Sequence, residues 1–265
     1  MSGAALCGAL VVALMGTGRA QETPQPDFAT WLEGVRAEAL QRGISPATVD
    51  RALTGLALEP VVVARDRAQP EQVQSLDTYL KQRLSTRTIR SARTMFAQHQ
   101  RLLQKIEAEY GVSAESLIAI WGLESNFGAF TGTRPIITAL ATLAFDPRRA
   151  TLFRAELFHA LTILDQGLIT AAELKGSWAG AMGQPQFMPS SYLKHAVDFN
   201  GDGRADIWTT ESDVFASIAN YLKSAGWVKG ERWGREVRVT RAAMNRIERQ
   251  IPMRANGCRA VREMT

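Results

Sequence analysis

The sequence predicts a mainly α-helical fold, on three observations. Apolar residues recur at three- and four-residue spacing along most of the chain. These stretches are punctuated by helix stops and starts, as in Gly43-Ile44-Ser45-Pro46. Strand-like alternation is scarce, and residues 235–239 are its best case.

The elements follow in order. Phe28, Trp31, Leu32, Val35, Ala39 and Leu40 trace a first amphipathic helix. Gly43 ends it, Ser45 caps the next and Pro46 takes the first helical position. Pro60 to Val63 is short and β-branched, and Asp66 to Glu71 is a polar turn region around Pro70. Helical patterns resume through Tyr79-Leu80, then from about Thr86 to Tyr110. Gly111 stops that helix, and Ser113 caps another whose apolar positions are Leu117, Ile118, Ile120 and Trp121, with Gly128 as its expected stop. Pro135 opens a short helix through Leu143. Asp146-Pro147 restarts the chain into a helix reaching about Leu164, with Gly167 past its end. Thr170-Ala171-Ala172-Glu173 has the capping-box pattern of a further short helix. Ser212 to Ala225 reads as a helix ending at Gly226-Trp227. There is no internal repeat and no low-complexity segment.

Composition bounds the function. The chain has 265 residues, 46% hydrophobic and 22% charged, enough to bury a sizeable core. The only long apolar run, residues 4–16, is too short to span a bilayer. It ends in Gly18-Arg19-Ala20, whose small residues fit a signal-peptidase site before Gln21. Residues 1–20 are therefore expected to be an export signal. Cys7 would leave with it, and Ala4-Ala5-Leu6 before it do not read as a lipobox. The mature chain would keep Cys258 alone. Net charge is +5, or +4 without Arg19, and the sequence pI is near 9.5. A mildly basic chain suits an anionic polymer. Export argues against nucleic acid, and the basic residues lack the aromatic interleaving of a single-strand binder.

One carboxylate stands out. Glu124 falls at the C-terminal end of the apolar helix closed by Gly128, between Leu123 and Phe127. The negative pole of the helix dipole and the apolar neighbours both disfavour its ionised form. A carboxylic acid still protonated near neutral pH is what glycosidic bond cleavage requires. An ordinary exposed Glu at a helix end is the competing explanation.

Two further stretches carry information. Residues 177–192 combine many Gly and Ala with Trp178, Phe187 and Tyr192, and with Gln184 and Gln186. Small residues let a ligand approach the backbone, and aromatic faces with amides suit a sugar chain. A tight helix–helix contact uses the same residue types. Asp198-Phe199-Asn200-Gly201-Asp202-Gly203-Arg204 matches the first half of a calcium loop, with oxygen ligands at positions 1, 3 and 5, glycine at 6 and a carbonyl from Arg204 at 7. Position 12 is Thr209 rather than Glu, and Glu211 or Asp213 could close the site from further on. A metal-free Asx/Gly turn is the alternative. His99, His159 and His195 form no zinc motif, and there is no G-x-S-x-G elbow or phosphate-binding glycine loop.

Taken together, Glu124-Ser125-Asn126-Phe127-Gly128, Ala179-Gly180-Ala181-Met182-Gly183, Gln186-Phe187-Met188-Pro189-Ser190-Ser191-Tyr192 and Ala196-Val197-Asp198-Phe199-Asn200-Gly201-Asp202-Gly203 resemble the B-type membrane-bound lytic murein transglycosylases. Asp66 to Glu71 and Tyr110-Gly111-Val112 also look like that family. The resemblance runs from about residue 28 to residue 228. It implies a lysozyme-like (goose-type/transglycosylase) core, an N-terminal helical region and a single EF-hand-like calcium loop. The implied layout is a helical region over 21–110, a core over 111–228 with the calcium loop at 198–213, and a basic segment over 229–265.

The resemblance also implies roles. Glu124 is the expected acid/base. Ser177, Gln186 and Tyr221 are expected to contact the glycan, together with Met182 and Phe127 of the same motifs. The expected ligands of one structural Ca²⁺ are Asp198, Asn200, Asp202, the carbonyl of Arg204 and Asp213. No cofactor is expected for catalysis. The expected location is the periplasm, membrane association included. Glycan strands of peptidoglycan are the expected partner, with peptidoglycan synthases or other wall enzymes as further candidates; a monomer that does not bind nucleic acid is expected. The pair Gln184-Pro185 departs from the family pattern. Members continue with further core segments, so the arginine-rich residues 229–265 read as cut short, and Cys258 as a cysteine without its disulfide partner. A lysozyme-type hydrolase and a non-catalytic wall-binding module are the rival functions.

Overall fold

Two-residue caps and buried apolar stripes build almost all of the molecule. The computed structural model describes residues 26–68, 76–231, 234 and 238–250. The export segment 1–20, Cys7, Pro70 with Glu71, Cys258 and most of the strand candidate at 235–239 lie outside them. The described residues form helices α1 (Phe28–Gln41), α2 (Pro46–Leu53), α3 (Pro60–Arg67), α4 (Leu76–Arg83), α5 (Thr86–Tyr110), α6 (Ala114–Ser125), α7 (Ile136–Phe145), α8 (Ala150–Asp165), α9 (Pro189–His195), α10 (Glu211–Ser224) and α11 (Arg241–Gln250). Two short strands, β1 (Arg134–Pro135) and β2 (Lys175–Gly176), pair antiparallel with Arg134 opposite Gly176. No helix among the described residues is long and apolar enough to cross a membrane.

The starts and stops are chemical. Asp27, Ser45, Ser85 and Ser113 each accept an amide hydrogen bond from the first turn of α1, α2, α5 and α6. Gly111 ends α5 in the left-handed conformation at φ 75°. Four expectations need correction. The polar turn read from Asp66 starts later: α3 runs on to Arg67, with Asp66 at 3% exposure and Val62 fully buried. Pro135 caps α7 from β1 instead of lying inside the helix. The Thr170/Glu173 capping box forms, with amide bonds of 3.3 Å each way, but closes a turn that runs into β2 and no helix. The stop of α6 is Asn126, not Gly128.

Two apolar cores result. The first joins Leu32, Val35 and Ala39 of α1, Val49 and Leu53 of α2 and Val62 of α3 to α7, α8, Met182, Phe187 and Ile207. Helix α7 is its centre: every residue from Ile136 to Ala144 except Thr138 is buried, as expected of a helix that is apolar all round. The second core joins Leu103 and Ile106 of α5, Leu117, Ile118 and Trp121 of α6, and Val214, Phe215 and Ile218 of α10. Each fully buried leucine contributes about 1.5–3 kcal/mol by leaving water. The α6 terminus and the 177–208 segment meet where these two cores adjoin.

Candidate active site

Helix α6 carries Glu124 on its last turn. Its apolar face turns Trp121 into the second core, at 1% exposure, against Phe215 at 5.0 Å. The helix then stops abruptly. Asn126, Phe127 and Gly128 are all left-handed, at φ 51°, 58° and 79°. The amide of Asn126 donates to Gly122 O at 3.1 Å and that of Phe127 to Trp121 O at 3.3 Å. Ser125 Oγ donates to Trp121 O at 3.1 Å and accepts from Gly128 N at 3.0 Å. Left-handed Asn is cheap; left-handed Phe is strained by about 1 kcal/mol or more. The strain is held because the Phe127 ring folds back onto Gly122, where any Cβ would collide with it at 2.6 Å.

Glu124 stands in a recess of about 300 Å³ lined by Gln82, Arg83, Thr88, Gly122, Leu123, Ser125, Asn126 and Phe130. By surface area Glu124 is nevertheless an exposed residue. The enclosing walls still desolvate it, and this burial raises its pKa above the ordinary glutamate value, with Arg83 opposing the shift. No hydrogen bond to the Glu124 carboxyl is present among the described residues, and no second carboxylate lines the recess. A larger recess of about 590 Å³ between α3 and α7 holds only Arg67 and Asp146 as charged groups. These two pair with each other at 2.7 Å, which leaves nothing there to do acid–base work.

The other expected glycan contacts are distributed unevenly. Phe127 adjoins the acid but turns its ring inward, edge-on to Trp121 at 5.6 Å. Met182 is fully buried in the first core, so its side chain does not line the recess. Ser177 Oγ accepts from the amides of Ala179 and Ala181, at 3.2 and 3.0 Å, and organises its own tight turn. Gln186 takes φ 52° and donates Nε2 to Gly183 O at 2.8 Å and Thr131 O at 3.3 Å. Tyr221 is exposed on α10 beside Phe187 at 5.5 Å and His195 at 5.0 Å. None of Ser177, Met182, Gln186 and Tyr221 lines the recess around Glu124. The glycines of this segment serve close backbone packing: a Cβ on Gly176 would strike Ala181 O, and one on Gly183 would meet Ile207 O at 2.7 Å. The residue that does reach α6 is Gln184. Its Oε1 accepts the Trp121 indole N–H at 2.6 Å and its Nε2 donates to Trp208 O at 2.9 Å.

The acidic loop is wound in tight Asx turns. Asp198 Oδ1 accepts from Gly201 N at 2.8 Å and Asp202 N at 3.2 Å, and Oδ2 from Gly203 N at 2.7 Å. Asn200 Oδ1 accepts from Asp202 N and Asp202 Oδ1 from Arg204 N, each at 3.0 Å. Gly201 and Gly203 are left-handed. Asp213, fully buried, ties the loop to α10 by accepting Phe199 N and Asp206 N, each at 3.0 Å. The carbonyl of Arg204 accepts from Asp206 N at 3.0 Å. Among the described residues no group of three or more His, Cys, Asp or Glu side chains converges as a metal cluster. Asn200 Nδ2 donates to Asp202 Oδ2 at 2.9 Å, and the Asp213 carboxylate is taken up by the Phe199 and Asp206 amides.

Comparison with known proteins agrees with this architecture. The chain matches membrane-bound lytic murein transglycosylase B of Escherichia coli K12 at 41% identity over 155 residues, 58% of this chain and 43% of that protein. The crystal structure of SltB3 from Pseudomonas aeruginosa in complex with NAG-anhNAM-pentapeptide superposes with a TM-score of 0.76 at 45% identity, covering 81% of this chain and 57% of that one. The Escherichia coli lytic transglycosylase Slt35 in complex with calcium superposes with a TM-score of 0.66 at 32% identity, covering 79% and 66% respectively. The chain thus spans about half the length of the first two relatives. The Transglycosylase SLT domain family matches residues 27–263, and with a match of that extent the chain belongs to that family.

Proposed function

We propose that this protein is a lytic transglycosylase that cleaves the MurNAc-β-1,4-GlcNAc bond of peptidoglycan and leaves a 1,6-anhydromuramic acid end. The observation that carries the reading is Glu124: the one carboxylate lining its recess, partly desolvated there so that its pKa is pushed above the ordinary glutamate value against the opposing charge of Arg83. A glycosidase with two carboxylates needs the second as nucleophile or base. With one, the substrate supplies the rest. Protonated Glu124 gives its proton to the bridging oxygen, the C1–O bond breaks, and GlcNAc leaves with a new hydroxyl. The MurNAc acetamide oxygen supports the cation at C1. Glutamate 124, now ionised, takes the proton of the C6 hydroxyl as O6 attacks C1. The ring closes, the acid is restored and no water is consumed. General acid–base help of this kind is worth about 10²–10⁴ in rate.

In this reading the glycan passes over the α6 terminus toward Phe127, Ser177, Gln186 and Tyr221, with Met182 shaping the floor from beneath. The relative bound to NAG-anhNAM-pentapeptide supports that substrate class. The 198–213 loop is read as one structural calcium site, with Asp198, Asn200, Asp202, Arg204 O and Asp213 as ligands; its Asx turns pre-shape the first three, and the calcium complex of Slt35 supports the ion. Residues 1–20 direct export to the periplasm, and the core spans 111–228, with α1–α3 and α5 of the preceding helical region packed against it. A lysozyme-type hydrolase is the second reading, favoured by the solvent exposure of Glu124, which leaves room for a water. Digestion of isolated murein followed by mass spectrometry decides: anhydromuramic ends support the transglycosylase, and reducing muramic ends support the hydrolase.

A further inference from the structure

The end of α6 is gripped from two sides by one side chain outside it. Gln184 is buried, at 7% exposure. Its amide nitrogen and oxygen each have a partner, as a buried amide requires. The oxygen meets Trp121 Nε1 at 2.6 Å, and the nitrogen meets Trp208 O at 2.9 Å. Its backbone amide adds a bond to Ile207 O at 2.8 Å. Trp121 lies three residues before Glu124, on the neighbouring turn. On the far side of Glu124, Gly128 has φ +79°, and a Cβ there would sit 2.5 Å from Gln184 Oε1. The carboxamide therefore lies flat against Gly128 while holding Trp121. Glu124 falls between these two points of support. The other end of the strut, Ile207–Trp208, is fixed by Asp206, whose Oδ1 accepts Trp208 N at 2.8 Å and Thr209 N at 3.0 Å.

We propose that Gln184 is a positioning residue for Glu124: by bridging Trp121 Nε1 and Trp208 O, and by seating Gly128, it fixes the helix terminus from which the acid projects. The inference rests on reading Glu124 as the acid. It concerns the strained turn directly: a left-handed Phe127 between Asn126 and Gly128 costs energy, and tertiary contacts must hold it. Both side-chain bonds leave its own segment, one to Trp121 of α6 and one to the backbone before α10. Gln186, two positions on, is bonded to Gly183 O and Thr131 O and cannot replace it.

The test is Gln184→Met, which keeps length and volume but can neither accept from Trp121 nor donate to Trp208. Two readings are taken on the full chain. The Glu124 carboxyl is titrated by carbon-13 NMR, with Glu124→Gln identifying its resonance. Initial cleavage rates on isolated murein are measured across pH. The expected result is a Glu124 midpoint moved down toward the ordinary carboxylate range as the recess loosens. Turnover falls about 10–100-fold with apparent KM changed less than about twofold, because a small misplacement of a reacting group costs rate before binding. The basic limb of the pH profile moves with the titration. A folded Gln184→Met protein with unchanged titration and turnover overturns the inference. Trp121→Phe gives a second route: it removes the indole N–H that Gln184 Oε1 accepts at 2.6 Å, and the same downward shift is expected; no shift there overturns the inference too. Should the parent chain give reducing ends or no cleavage, the proposed function fails, while the Glu124 titration still decides the role of Gln184.

Discussion

Arg148 reaches back across 82 residues of chain to place its Nε 2.8 Å from Asp66 Oδ2. Arg149 closes on the other oxygen, and the carboxylate between them is only 3% exposed. Helix α3 is thereby bolted to the junction of α7 and α8. Removing the carboxylate leaves two guanidiniums facing each other at a buried position. Asp66→Ala is expected to cost about 2–4 kcal/mol, moderated by the 43% exposure of Arg148, which can rehydrate. Urea denaturation measures it, and a difference under about 0.5 kcal/mol would contradict the pairing.

Glu124→Gln is expected to abolish murein cleavage while retaining sedimentation with the wall. Its stability should move the other way. Burial raises the folded pKa of Glu124 above the unfolded value. The parent chain therefore loses stability as pH rises through the folded value, and the neutral amide does not. Melting curves should show the variant level with the parent in acid and more stable at neutral pH, by less than about 1 kcal/mol because Glu124 is exposed and solvent screens it. A variant that melts lower at neutral pH would sink this account.

Gly132 holds φ +89° where a Cβ would run into the Gly176 carbonyl. The obstacle is backbone and cannot swing aside. Gly132→Ala should destabilise by about 2–4 kcal/mol, read as a fall in thermal midpoint, whereas Gly34→Ala, with nothing within 4 Å of the added Cβ, should be neutral or stabilising. Equal midpoints for the two variants would refute the difference.

Burial alone would raise the Asp206 pKa, but the Thr209 hydroxyl, the amides of Trp208 and Thr209 and the Arg204 charge hold it below the ordinary value. Its stabilisation is thus present above the unfolded carboxylate range and lost as pH falls through the folded value. Asp206→Asn should cost about 1–2 kcal/mol at neutral pH, shrinking below about pH 4. A penalty constant from pH 3 to pH 7 would argue against it. With the proposed ion bound, chelation of purified protein should also lower the melting midpoint, and an unchanged melt would count against calcium.

Much of this was readable before any coordinates. Serine caps, Gly111 and the apolar spacing of Leu117, Ile118 and Trp121 define α5 and α6 because those signals are local. The direction of the Glu124 shift agrees with the sequence reading, but its cause is burial within the recess rather than the helix end or the adjoining Leu123, which is exposed. What depended on distant chain was not. Pro60 to Val63 became helical only because Val62 found the first core. Capping at Thr170 and Glu173 formed as written, yet β1 pairing drew the chain into an extended path. Arg83 gave no motif, though it lines the recess beside the acid. Gln184 stood out as one of two amides suited to a sugar and as a departure from the family pattern; its hydrogen bonds to Trp121 and Trp208 require the folded chain. Of the two readings left open for the 177–192 glycines, Gly180 and Gly183 follow the packing one, pressed against Leu140 and Ile207.

The chain weaves between its two cores: α1–α3 belong to the first, α5 and α6 to the second, α7 and α8 return to the first, and α10 closes the second. A ribosome emitting this sequence therefore completes neither core until Ile207 and then Phe215 and Ile218 have emerged. Such interleaving makes early fragments poor folding units and slows the search for native partners. It also predicts that heat dismantles the whole assembly in one concerted step.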